Sequence, residues 1–170
     1  MKIRVDRFNI YLLSGLALLL AGGCQTTKKK EVATITFHLE VNPDGSDRNS
    51  RVPIDRASPI YVNVETKPFL NGANIVEAAV IDDSVGGFMI KIKLDRKGTW
   101  LLEQYSTASK GKRVAIFSQF GEARWLAAPI LAKHIADGVF AFTPDATREE
   151  AEHITSGLNE VAKTMQKDNP

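Results

Sequence analysis

Apolar and polar positions alternate along much of the chain with the period of extended strands. In residues 32–41, Ala33, Ile35, Phe37, Leu39 and Val41 fall on one side, and Thr34, Thr36, His38 and Glu40 on a polar side. Ile60, Val62 and Val64 repeat the pattern in residues 59–65, as do Phe88, Ile90, Ile92 and Leu94 in residues 88–94. Arg51-Val-Pro-Ile54 is a short extended piece; its proline has no N–H to give to a ladder, which assigns it to a sheet edge. Residues 74–83 fit a strand or a helix. The Gly86-Gly87 turn behind them favours a strand over the second half, closed into a hairpin with residues 88–94. Val114-Ala-Ile-Phe117 and Val139-Phe-Ala-Phe142 are two more strands, and Trp125-Leu-Ala-Ala-Pro-Ile130 is an apolar piece entered from a loop. Residues 42–50, rich in Asn, Asp, Gly, Ser and Pro, read as a mobile loop, and Lys67-Pro-Phe-Leu-Asn-Gly72 breaks the preceding strand.

Helical spacing appears in two places. Trp100, Leu101 and Tyr105 predict a helix that starts near Gly98-Thr99, with Thr99 as N-cap, and stops at Gly111. Thr147-Arg-Glu-Glu150 has the form of a capping box, and Ala151, Ile154, Leu158, Val161 and Met165 make one apolar stripe behind it. The end of that helix is expected to fray over residues 163–170, with residues 166–170 a tail. About six strands and two or three helices predict an α+β fold: a mostly antiparallel sheet with the helices packed on one face.

The N-terminus has a different pattern. Met1 to Arg7 is basic, Ile10 to Leu20 is a mostly apolar run too short to span a bilayer comfortably, and Leu20-Ala-Gly-Gly-Cys24 follows. Small residues before a single cysteine, at the end of such a run, resemble a bacterial lipobox, although Ala21 stands where leucine is commoner. That resemblance implies cleavage after residue 23, acylation of Cys24, and a lipid anchor on the membrane; the alternative is an ordinary cleavable signal or short anchor with an incidental cysteine. Each buried methylene contributes roughly 0.8 kcal/mol, and two or more chains hold stably. Residues 24–31 then form an anchored polar tether, followed by a single domain over residues 32–165. Gln25, rather than Asp, after the cysteine favours an outer-membrane destination for a periplasm-facing protein.

Composition narrows the classes of partner. The chain has 170 residues and a formal charge of +2, but Lys2, Arg4 and Arg7 against Asp6 put that surplus in the leader. A neutral mature chain argues against nucleic acid as a partner. Lys28-Lys-Lys30 either leans on anionic lipid or is a solvated spacer. One cysteine rules out an internal disulfide and a multi-cysteine zinc site. His38, His134 and His153 have no ligand spacing between them, so no metal or cofactor is expected. Asp82 and Asp83 are adjacent, but on a strand they point to opposite faces, which disfavours shared-proton chemistry. The aromatic residues Trp100, Tyr105, Phe117, Phe120, Phe140 and Phe142 read mainly as core. Trp125 and Arg124 are the partner-binding candidates, because Trp and Arg dominate interface hot spots and these two sit in an apparent loop. The edge around residues 51–65 is a second candidate, for strand addition.

The order of motifs carries a resemblance. Ile75…Ala78, a strand ending Leu94-Asp95, Gly98 opening a helix, Gly111-Lys112, Val114-Ala115-Ile116, Ala128-Pro129-Ile130, Ile135…Gly138, Phe142-Thr143-Pro144 and Glu149-Glu150-Ala151 follow one another. This order is similar to the head subdomain of the first periplasmic domain (P1) of SecD, a membrane protein that assists preprotein export. The likeness covers roughly residues 59–161. It implies an α+β SecDF P1-head-like fold, a non-enzymatic role, and unfolded polypeptide or envelope or Sec proteins as partners. Ser118-Gln-Phe-Gly-Glu-Ala-Arg124 replaces the family's Asp-Gly turn, and the membrane helices behind SecD's proton-driven motion have no counterpart here, so that activity does not transfer. The expected function is therefore a lipid-anchored envelope protein that binds polypeptide or an envelope partner. The alternatives are a structural envelope lipoprotein that packs against a partner or itself, and an enzyme of unrecognised type.

Overall fold

The computed structural model describes residues 34–120 and 122–168. The expected leader, Cys24 and the tether lie outside the described residues, as does the start of the first predicted strand. Among the described residues the element order is β1 (Ile35–Leu39), β2 (Asn49–Ile54), β3 (Ile60–Glu65), β4 (Leu70–Asn71), a 3-10 turn (Gly72–Asn74), β5 (Ile75–Asp82) and β6 (Phe88–Leu94). It continues with α1 (Arg96–Ala108), β7 (Val114–Ser118), β8 (Arg124–Ala127), β9 (Val139–Phe142) and α2 (Arg148–Asp168). The α+β class expected from the sequence is what is found. The strands divide into a four-stranded sheet in the order β4-β1-β7-β8, a three-stranded sheet β5-β6-β9 and a two-stranded ribbon β2-β3. The pairings between named strands are antiparallel.

The main core lies between the four-stranded sheet, the three-stranded sheet and the helices. Ile35, Phe37 and Leu39 stand opposite Ser118, Ile116 and Val114 and face it from one sheet. Ile90, Ile92, Phe140 and Phe142 face it from the other, with Leu102 of α1 and Ala151, Ile154 and Leu158 of α2. Burying a side chain of this size contributes roughly 1.5–3 kcal/mol. The stripe of α2 departs from expectation at its end, where Ala162 is buried and Met165 is exposed. The helix also continues to Asp168, past the residue where the frayed tail was expected to begin.

The opposite face of the four-stranded sheet is covered too. Val52, Ile54, Val62 and Val64 of the ribbon bury against Ala115, with Trp125 and Ala128 alongside. The side of β1 that looks polar in the sequence therefore meets the ribbon, and His38 on it is only 8% exposed. This corrects the expectation of a solvated face. Thr and His satisfy their polar atoms locally and bury the rest.

The two helix starts differ in how they are capped. Thr147 and Glu150 form the expected box: the Glu150 N–H donates to the Thr147 hydroxyl at 3.1 Å, and the Thr147 N–H donates to the Glu150 carboxylate at 2.8 Å. For α1 the N-cap is Asp95, not Thr99: the Asp95 carboxylate accepts from the Gly98 N–H. Thr99 lies inside the helix and gives its hydroxyl to the Asp95 carbonyl at 2.8 Å. Asp95 won because Gly98, at the third helical position, leaves its N–H open to a carboxylate three residues back.

Candidate functional site

Arg124 and Trp125 begin β8, a strand rather than a loop, and its register with β7 fixes both side chains. Trp125 is half-buried. Its ring lies 5.1 Å from Phe117 and 5.2 Å, edge-on, from His38, with the ribbon cluster against it. The exposed aromatic contact expected at this position is absent; the four-residue strand between charged flanks reads as loop because it is too short to show a period. The exposed tryptophan is Trp100, on the outer side of α1, at 55%. The sequence placed it in the core.

His38 sits where the layers meet. The Glu65 carbonyl accepts from Nδ1 at 2.8 Å, which puts the proton on that nitrogen and leaves Nε2 to accept from the Thr36 hydroxyl at 2.9 Å. Burial pushes its pKa below the ordinary histidine value, and the Glu65 carbonyl bond opposes that shift.

Arg124 belongs to a cluster of four charges. Its guanidinium, 14% exposed, pairs with Glu150 at 3.2 Å and Asp145 at 3.7 Å, and donates to the Asp145 carbonyl. Arg56 reaches the same two carboxylates, at 3.3 Å to Asp145 and 3.6 Å to Glu150, and its N–H donates to Asp145 at 2.9 Å. Asp55 before it adopts φ 69°, a left-handed conformation that aspartate tolerates better than most residues. The Asp145 N–H donates to the Leu126 carbonyl at 2.6 Å. The cluster thus fastens the ribbon turn, β8 and the start of α2 together. The Thr147 N–H, with Arg124 and Arg56 beside it, holds the Glu150 pKa below the usual carboxylate value. Pairs of this kind brace the three elements against one another.

The three histidines are far apart in role. His134 accepts from or donates to Thr107 at 2.9 Å and faces Glu103 at 3.6 Å, while His153 packs 6.0 Å from Phe120. Among the described residues, no group of three or more His, Cys, Asp or Glu converges as a metal site. Asp82 pairs with Arg148 and Asp83 caps Ser84 in the hairpin turn, so the two carboxylates are separate.

A concave feature with apolar walls lies along β9. A groove of about 680 Å³ runs between that strand and the loop after β8, lined by Pro129, Ile130, Ile135 and Ala136 on the loop side. Ile130 is 51% exposed. Sequence reading missed it, because four apolar residues of β9 look the same at a sheet edge as in its middle.

Residues 48–162 match the family described as SecDF, P1 head subdomain. Comparison with the curated proteins finds no match. Among solved structures, the chain is similar to SecDF in its super-membrane-facing form, with a TM-score of 0.55 and 18% identity over 75% of this chain. It spans 18% of that SecDF chain. A second structure, of SecDF as a membrane component that enhances protein export, also gives a TM-score of 0.55, at 17% identity, covering 94% of this chain and 71% of the other. At these identities the structures establish a shared fold.

Proposed function

The chain belongs to the SecDF P1 head subdomain family, and from that membership we propose that it is a non-enzymatic, lipid-anchored envelope protein that binds polypeptide. The match over residues 48–162 carries this reading. Cys24 is the acylation site and residues 24–31 the tether, so the head faces the periplasm a short chain length from the lipid surface, with the outer membrane favoured by Gln25. No helix among the described residues is long and apolar enough to cross a membrane, so attachment rests on the acyl chains in this reading. Arg124, held in the charge cluster, and Trp125, half-buried beside the ribbon, are candidate contact residues in this reading. The β9 groove and Trp100 are further exposed apolar features available for contact.

Two measurements on the full-length protein test the proposal. Membrane fractionation should find the protein with the membranes and Cys24→Ala in the soluble fraction; equal membrane retention of Cys24→Ala would remove the acyl anchor. Binding assays should show capture of a carboxymethylated, permanently unfolded polypeptide and not of its native form. Failure to bind it, with recovery of one folded envelope protein at a fixed ratio, would make the chain a structural subunit instead.

A further inference from the structure

Among the described residues, several sheet edges are partly covered. On the outer side of β5, the Asn159 side chain donates to the Ala78 carbonyl and accepts from the Ala78 N–H, both at 2.8 Å. On β8 the Leu126 carbonyl takes the Asp145 N–H. On β3 the Asn63 carbonyl takes the Val41 N–H at 2.9 Å. β2 carries Pro53 and β4 is two residues long. Proline, brevity and covering groups are the usual ways of disarming an edge.

β9 carries no proline, and one of its outward groups is covered. The Leu94 N–H donates to the Gly138 carbonyl, which fixes the alternation: Phe140 and Phe142 bond to β6, while the backbone groups of Val139 and Ala141 point away from it. The Val139 N–H is held by Asp137 at 3.1 Å. The Val139 carbonyl and the Ala141 N–H and carbonyl have no hydrogen-bond partner among the described residues. These three groups open onto the apolar groove of Ile130 and Ile135. Its surroundings are basic: Lys133 lines it, and Lys91 and Lys93 stand directly across from Ala141 and Val139 on β6. Asp137, which accepts from the Val139 N–H, also lines the groove, and Glu77 lies beyond Lys93 on β5, so these three lysines exceed the two carboxylates by one charge.

We propose that β9 is a docking edge that takes an extended polypeptide segment, apolar at its centre and acidic at its flanks, as an added strand. The proposal rests on the polypeptide-binding reading above and names its site and ligand chemistry. The incoming backbone supplies a donor for Val139 and Ala141 and an acceptor for the Ala141 N–H. Alternate side chains enter the groove, as strand addition requires. The lysines complement the acidic flanks and exclude basic segments.

The test uses the full-length protein in detergent and a synthetic probe, acetyl-Glu-Asp-Val-Thr-Val-Thr-Val-Asp-Glu amide. Ala141→Pro removes the outward N–H at a position where an edge strand accepts proline, as β2 accepts Pro53. Binding should fall about tenfold or more in Ala141→Pro, and by a similar factor for the probe N-methylated through its central segment. Lys91→Gln with Lys93→Gln should weaken it less. Should Ala141→Pro fail to fold, the N-methylated probe against the unaltered protein decides. Undiminished binding in both tests overturns the docking edge. If a carboxymethylated unfolded polypeptide then still binds, Ala141→Pro included, the polypeptide-binding reading stands without this site. If the unaltered protein binds neither probe nor unfolded polypeptide, both fall.

Discussion

His38 shows how much one residue's surroundings decide. Its ring is held neutral between Glu65, Thr36 and Trp125, and its folded pKa lies below the ordinary histidine value. In the unfolded chain it takes up a proton near pH 6.5. The unfolded state therefore binds more protons as pH falls below about 6.5, so the contribution is fully present above about pH 6.5 and is lost as pH falls from there through the lower folded pKa. Urea midpoints between pH 7.5 and pH 5 should decline for the native protein and flatten in His38→Gln. A slope unchanged in His38→Gln would assign the acid sensitivity to another group. Glu150, whose folded pKa is also lowered, acts in a separate window: its contribution is lost only below the ordinary carboxylate range. Gly138 is the residue whose identity is most tightly constrained. Its φ of 68° is left-handed, and a Cβ there would come 2.1 Å from the Thr99 hydroxyl, so β9 enters the sheet only because nothing projects toward α1 at that point.

Among elements, β5 and β6 were legible because two apolar alternations flank a Gly86-Gly87 turn, and α2 because its cap and its stripe agree. β1 was legible in period but not in environment. Thr36 and His38 look like a wet face, and only the distant ribbon, brought there by the chain's topology, shows that it is dry. β4 and β8 are too short to carry a period, which is why Arg124 and Trp125 read as loop residues. The β9 edge was out of reach for a related reason: whether a strand is central or peripheral is a property of sheet order, not of its own residues. Asn159 makes the contrast testable. Asn159→Ala leaves the Ala78 N–H and carbonyl without partners, which should cost about 1–3 kcal/mol in urea denaturation. It should also promote concentration-dependent self-association in sedimentation, since it opens a second edge.

At the scale of the whole molecule, the two sides of the four-stranded sheet are built differently. Among the described residues, the inner side rests on a core of twenty buried residues, and the outer side on five. The ribbon has little apolar area to hold it, and Asp145 supplies a polar tie through the Arg56 N–H, the Arg56 and Arg124 guanidinium groups and the Leu126 carbonyl. Asp145→Ala should cost about 1–3 kcal/mol. The loss should be uneven: amide exchange ought to quicken in β2 and β3 while β5 and β6 keep their protection. Uniform exchange would mean that the ribbon and the main core open as one unit.

The central place of β1 has a mechanical consequence. β1 begins just after Thr34 and lies between β4 and β7, with five residues in register from Ile35 opposite Ser118 to Leu39 opposite Val114. A pull applied through that end acts along the strand, so the ladder to β7 is loaded in shear and its bonds share the force instead of parting one by one.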